Sequence, residues 1–202
     1  MTTKRAPRTT PAANPEDARM AKVSTFAPGA SVPRDRQLET LWLRIDQPFV
    51  ATVLVPVHPI TGDEVLDLAK RLARTGAVIE DREVALADFR GVSPHAADRT
   101  RTVIERMAAA GPLLLVVDPL TDQHGGIPVV ESAGRALLVV RLGSSTAGAI
   151  AATQQLIPSR CDTAVVCLEK GHGEPPPATR RDDAPRGKRH GSTAPRDEAD
   201  ES

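Results

Sequence analysis

The chain has 202 residues, with 26 basic and 26 acidic side chains. A net charge of zero excludes a global field that would steer it to nucleic acid or an anionic membrane. No apolar run approaches the ~20 residues of a membrane span, and Cys161 and Cys167 are too few and too oddly spaced for a disulfide framework or a zinc site.

Residues 1–35 are rich in Thr, Ala, Pro and Arg and are expected to lack fixed structure. They contain no apolar h-region of a secretory signal, and the prolines of MTTKRAPRTTP oppose the amphipathic helix of a transit peptide. The expected location is therefore cytoplasmic. Residues 36–170 read as one folded domain. Its first element is a helix near residues 35–45, with Leu38, Leu41, Trp42 and Ile45 at helical spacing. Pro48 marks its end. A strand is expected over residues 49–57, then the turn His58-Pro59-Ile60-Thr61-Gly62.

The next helix is expected over residues 63–74, burying Val65, Leu68, Ala69 and Leu72, with Thr75-Gly76 closing it. A short strand over residues 83–87 ends at Asp88. Ser93-Pro94 gives an N-cap and a first-turn proline for a helix reaching Ala110. Two apolar runs rich in Val and Leu follow, residues 113–118 and 135–141, separated by a loop with a short helical segment. Runs of this kind are strands covered on both faces, and Leu115, Val117, Leu138 and Val140 are expected in the core. Ser144-Ser145-Thr146 starts a small-residue helix to about Leu156, and residues 163–168 form the last strand. Alternation at this spacing implies an α/β fold, a doubly wound, mainly parallel sheet with helices on both faces. Residues 171–202 are a mixed-charge tail with almost no apolar residues, again expected without structure.

Read in order, three stretches resemble the P-loop ATPase domain of the bacterial tyrosine kinases of capsule and exopolysaccharide synthesis, within the partition-ATPase-like superfamily. The first is Leu114 to Pro119 together with Ala133 to Thr146, similar to the family's strand ending in Asp and the apolar strand after it. The second is Val84 to Arg90, similar to the family's second aspartate motif, with Leu86 in place of its first Asp. The third is Arg36 to Trp42, similar to the helix preceding the first strand. The resemblance implies a P-loop NTPase-like fold over roughly residues 36–169.

The phosphate loop departs from that family. Its place is held by His58-Pro59-Ile60-Thr61-Gly62-Asp63-Glu64. Gly62 is the one glycine left, and Asp63 and Glu64 stand where a phosphate-binding Lys and a magnesium-binding Ser/Thr belong. Two carboxylates suit a helix start but repel a triphosphate. The chain also has no tyrosine, the residue these kinases phosphorylate in their own tails. The resemblance then implies a non-catalytic relative, a pseudo-ATPase or pseudokinase with no cofactor. It would bind a protein of exopolysaccharide or capsule synthesis and export. That partner would be an inner-membrane polysaccharide co-polymerase, holding the chain peripheral to the membrane, or an active ATPase relative.

Leu38, Leu41 and Trp42 are the candidate partner contact, with the loops after Asp88 and Asp118. Asp88, Arg90 and Asp118 are remnant carboxyl-edge residues on this reading; the plainer explanation, Asp118 as a strand-end cap of its turn and Asp88 with Arg90 as a surface ion pair, is favoured. His58 and His124 could meet Asp88 and Asp118 around a divalent metal, but no spacing demands it and no metal is expected. Cys167 reads as a core residue. Two alternatives stay open: an ATPase or kinase with a displaced lysine, Lys70 being nearest, and an unrelated small-ligand-binding α/β module.

Overall fold

The computed structural model describes residues 21–29, 35–45 and 51–169. Its strands are β1 (Lys22–Phe26), β2 (Thr52–Pro56), β3 (Val84–Asp88), β4 (Leu113–Val116), β5 (Arg135–Arg141) and β6 (Asp162–Leu168). Its α-helices are α1 (Arg36–Ile45), α2 (Gly62–Glu80), α3 (Ala97–Ala110), α4 (Ile127–Ser132) and α5 (Ala147–Gln155). Short 3-10 turns, Pro94–Ala96 and His124–Gly126, lead into α3 and α4. The strands form one six-stranded sheet in the order β1-β3-β4-β2-β5-β6. β1 runs antiparallel to β3, and the other neighbours pair in parallel.

The continuous apolar runs are buried because helices cover both faces of the sheet. Every residue of β2 and β4 is buried. Val53 and Val55 join Leu115, Val117, Leu138 and Val140 in the core under α3, α4 and α5. Leu54, Leu114, Val116, Leu137 and Val139 face the opposite way, under α1 and α2. Successive strand side chains alternate between faces, so one apolar run feeds two cores. The four core residues expected from the sequence are all buried.

Four differences from expectation have physical reasons. β1 lies within residues 1–35, expected to lack structure. Its residues are mostly exposed, so it leaves little apolar signal, and its order comes from backbone pairing with β3. α2 does not close at Thr75-Gly76 but runs on to Glu80, where Asp81 takes the left-handed conformation at φ 50°. Gly76 is a packing residue: a Cβ there would lie 2.5 Å from the Trp42 ring. Cys167 is exposed rather than buried, since β6 is an edge strand. The expected contact surface on the first helix is also turned inward: Leu38 and Trp42 are buried against α2 and Leu41 is half-buried. Trp42 Nε1 donates to Glu80 Oε1 at 3.2 Å. The readings made for Pro48, Phe49, residues 1–20 and the tail from 171 fall outside the described residues.

Arg135 ties the first helix to the sheet. Its side chain reaches back to the end of α1 and donates to the carbonyls of Arg44 and Ile45, at 3.2 and 3.0 Å. Its Nε also meets Asp162 at 2.8 Å. A cation on the last carbonyls satisfies acceptors that the helix leaves open. The charge is tolerated at 8% exposure because its partners are in place.

Candidate functional site

β2 sends its connection to α2 on one face, while its neighbours β4 and β5 lead to α4 and α5 on the other. Ligands of open α/β sheets bind where connections part in this way, beyond the carboxyl ends of the strands. Gly62, Asp63 and Glu64 occupy that place. The chain leaves β2 with Val57 N–H donating to Val139 O at 3.0 Å, passes a cis His58-Pro59 bond, and turns as Ile60 N–H donates to Val57 O at 3.0 Å. Thr61 then caps α2. Its hydroxyl accepts from the Glu64 backbone N–H at 3.3 Å, and Glu64 Oε2 accepts from the Thr61 backbone N–H at 3.0 Å. This reciprocal pair satisfies donors that a helix start leaves free. The backbone hydrogen bond from Thr61 also holds the Glu64 carboxyl below its usual range. Burial opposes that shift, while the Thr61 hydroxyl and Arg141 add to it.

Two arginines, one from the loop after β3 and one from the end of β5, close over the helix start. Arg90, two residues beyond the last aspartate of β3, grips Asp88 with both arms: Nε to Oδ1 and Nη2 to Oδ2, each at 2.8 Å. Its backbone N–H also donates to Asp88 Oδ1 at 3.1 Å. Burial pushes the Asp88 carboxyl up, but the Arg90 hydrogen bonds outweigh it and hold the group below its usual value. Nη1 of Arg90 extends to Asp63, so one guanidinium bridges β3 and the first turn of α2. Its hydrogen bond to Asp88, more than the opposing burial, raises the Arg90 pKa well above the ordinary value. The side chain passes so close to Gly62 that a Cβ there would lie 2.8 Å from Arg90 Cδ and 3.3 Å from Asp118 Oδ1. On the other side Arg141, at the end of β5, pairs with Glu64.

Asp118 is half-buried and accepts from the Gly91 backbone N–H at 2.6 Å through Oδ2. It pins the loop that carries Arg90. The structure thus brings together Gly62, Asp63, Asp88, Arg90 and Asp118, with Glu64 beside them. It does not gather the proposed metal set: among the described residues no three His, Cys, Asp or Glu side chains form a group able to hold a metal ion. Lys70 pairs along its own helix with Asp67 at 3.4 Å.

Sequence reasoning passed over Arg141 and the Gly91 N–H. Arg141 carries the same signal that picked out Asp118, a charged residue closing an apolar strand run. The role of Gly91 depends on loop geometry that no spacing reveals. Chemically the cluster is self-satisfied: each carboxylate at the helix start already has a cation, and three N–H groups of Arg90 are committed. No family model, curated protein or solved structure matches the chain.

Proposed function

We propose that this chain is a non-catalytic, P-loop NTPase-like protein that works by binding other proteins. The observation that carries the reading is the Arg90 guanidinium lying over Gly62 and bridging Asp88 and Asp63. It fills the position a nucleotide phosphate would take at the start of α2. A triphosphate would have to displace both carboxylates from Arg90, then sit against Asp63 and Glu64. A like-charge contact at ~4 Å costs about 4 kcal/mol at an effective dielectric of 20, roughly a thousandfold in affinity. Isothermal calorimetry of the whole chain with Mg-ATP should give no binding heat at millimolar nucleotide, and no phosphate should be released. Micromolar binding would overturn the reading and turn attention to Arg90, Arg141 or Lys70 as a substitute cation.

The resemblance supports exopolysaccharide or capsule synthesis and export as the setting. The partner would then be an inner-membrane polysaccharide co-polymerase or an active ATPase relative, with this chain on the cytoplasmic side. With Leu38 and Trp42 in the core, the contact surface moves to the exposed loops after Asp88 and Asp118, Ser93–His95 and Thr121–His124. Calorimetric titration with the cytoplasmic segment of such a co-polymerase tests the partner separately from the nucleotide.

A further inference from the structure

One end of the sheet is unfinished. Among the described residues no strand pairs with the outer edge of β6. Side chains at residues 163, 165 and 167 point to the face that carries α5, because they pair in register with Ala136, Leu138 and Val140 of that core. Yet Val165 is 53% exposed and Cys167 is also exposed. Beside them α5, AGAIAATQQ, has no charged residue, but Thr153 is its one buried residue.

We propose that β6 is the seam of a symmetric dimer with a second copy of this chain, formed by antiparallel pairing of the two β6 strands about Val165. Three observations select this occupant. The segment that follows β6 in the chain, residues 170–202, contains no Val, Ile, Leu, Met, Phe or Trp, so its composition offers little to match an apolar face. The strand is self-complementary: pairing about Val165 sets Val165 against its own copy, Thr163 against Cys167, Ala164 against Val166 and Asp162 against Leu168. No like charges then stand opposite, an arrangement that would be destabilising. Asp162, the one charge in the strand, is already held by Arg135 at 2.7 Å. Finally, β6 carries no Pro and no Lys, two of the devices that keep an edge solitary, and its one charge is paired within the chain, whereas the opposite edge strand β1 begins with Lys22.

The dyad lies perpendicular to the sheet. It makes one continuous sheet from two copies, with both α5 helices on the same face flanking the Val165 row. A contact of this kind is isologous and closes at two copies. It is independent of the nucleotide and partner reading above: the dimer could fail while that reading stands, and the reverse.

The test is light scattering on the full chain with a cross-linking pair. The wild type should elute at twice the chain mass, and Val165→Lys should halve it while the far-ultraviolet circular dichroism stays that of the folded chain, since the position is exposed in the single copy. Thr163→Cys, oxidised mildly, should give a covalent dimer through Cys167 of the other copy, and Cys167→Ser in that background should abolish it. Within one strand the two positions are about 13 Å apart, too far for a disulfide. A wild type that stays monomeric, or a dimer indifferent to Val165→Lys and without the 163–167 cross-link, would overturn the proposal. If Val165→Lys fails to fold, the cross-link decides alone.

Discussion

Gly125 shows how closely single residues are held at the carboxyl edge. It begins the run into α4, and a Cβ there would lie 1.9 Å from the carbonyl oxygen of Val92, in the loop that follows Arg90. The obstacle is backbone, so no rotamer change relieves it. Gly125→Ala should therefore destabilise by about 3 kcal/mol, the upper part of the range for overpacking. It should also part the loops that Asp118 and Arg90 join. Gly148 is the internal control. It lies in α5, and its nearest neighbour would be Thr146 Oγ1 at 4.0 Å, so Gly148→Ala should stabilise by about 1 kcal/mol through helix propensity. Urea denaturation of the two variants should give shifts of opposite sign. A Gly125→Ala variant as stable as the wild type, or more so, would mean that the close approach at Gly125 does not exist in solution.

Helix α1 docks on α2 through the Trp42 ring over Gly76, and two effects compete there. Alanine at position 76 would gain about 1 kcal/mol of helix propensity. Its Cβ would also meet the indole at 2.5 Å, at an overpacking cost of about 1–3 kcal/mol. The clash should win, leaving Gly76→Ala less stable by about 1–2 kcal/mol. In a Trp42→Ala background the clash is gone and the same substitution should become stabilising, a reversal that thermal melts of the four proteins would reveal. The same contact explains what was hidden in the sequence. A glycine twelve residues into an apolar pattern looks like a C-cap unless the indole above it is known. The central strands were legible because their apolar runs serve two covered faces. β6 has nearly the same composition, TAVVCL, and only its place at the edge exposes Cys167. β1 has little apolar content to betray it. At the site, Asp63, Glu64, Asp88, Arg90 and Asp118 could be grouped because strand order in the chain puts their loops at one edge. That Arg90 spans two of them depends on its rotamer, which no sequence pattern encodes.

Taken as a whole, the molecule carries no net charge, so its response to acid should come from particular carboxylates rather than from overall repulsion. Among the described residues Asp88 and Glu64 are the two carboxylates whose native pKa values are lowered, from ordinary values of 3.8 and 4.5. Between the native and ordinary values the unfolded chain binds more protons than the native one, so stability rises with pH there. The contribution is complete above the ordinary values and is lost as pH falls through the native ones. Stability should accordingly be level from about pH 7 to about pH 5 and fall below about pH 4. Asp88 carries the larger share, because its side chain is 11% exposed and gripped by two arms of Arg90, whereas Glu64 is 40% exposed and more screened. Asp88→Asn keeps the shape but removes the charge, and should lower stability by about 1.5–3 kcal/mol near neutral pH, the range for hydrogen bonds to a charged group. As pH falls below the ordinary carboxylate value toward the lowered native one, wild-type Asp88 becomes protonated too, so the two denaturation curves should draw progressively together below about pH 4. A gap that stays constant across the titration would show that the Arg90 bridge contributes nothing as a charge pair. The plug over the start of α2 would then be a matter of packing alone.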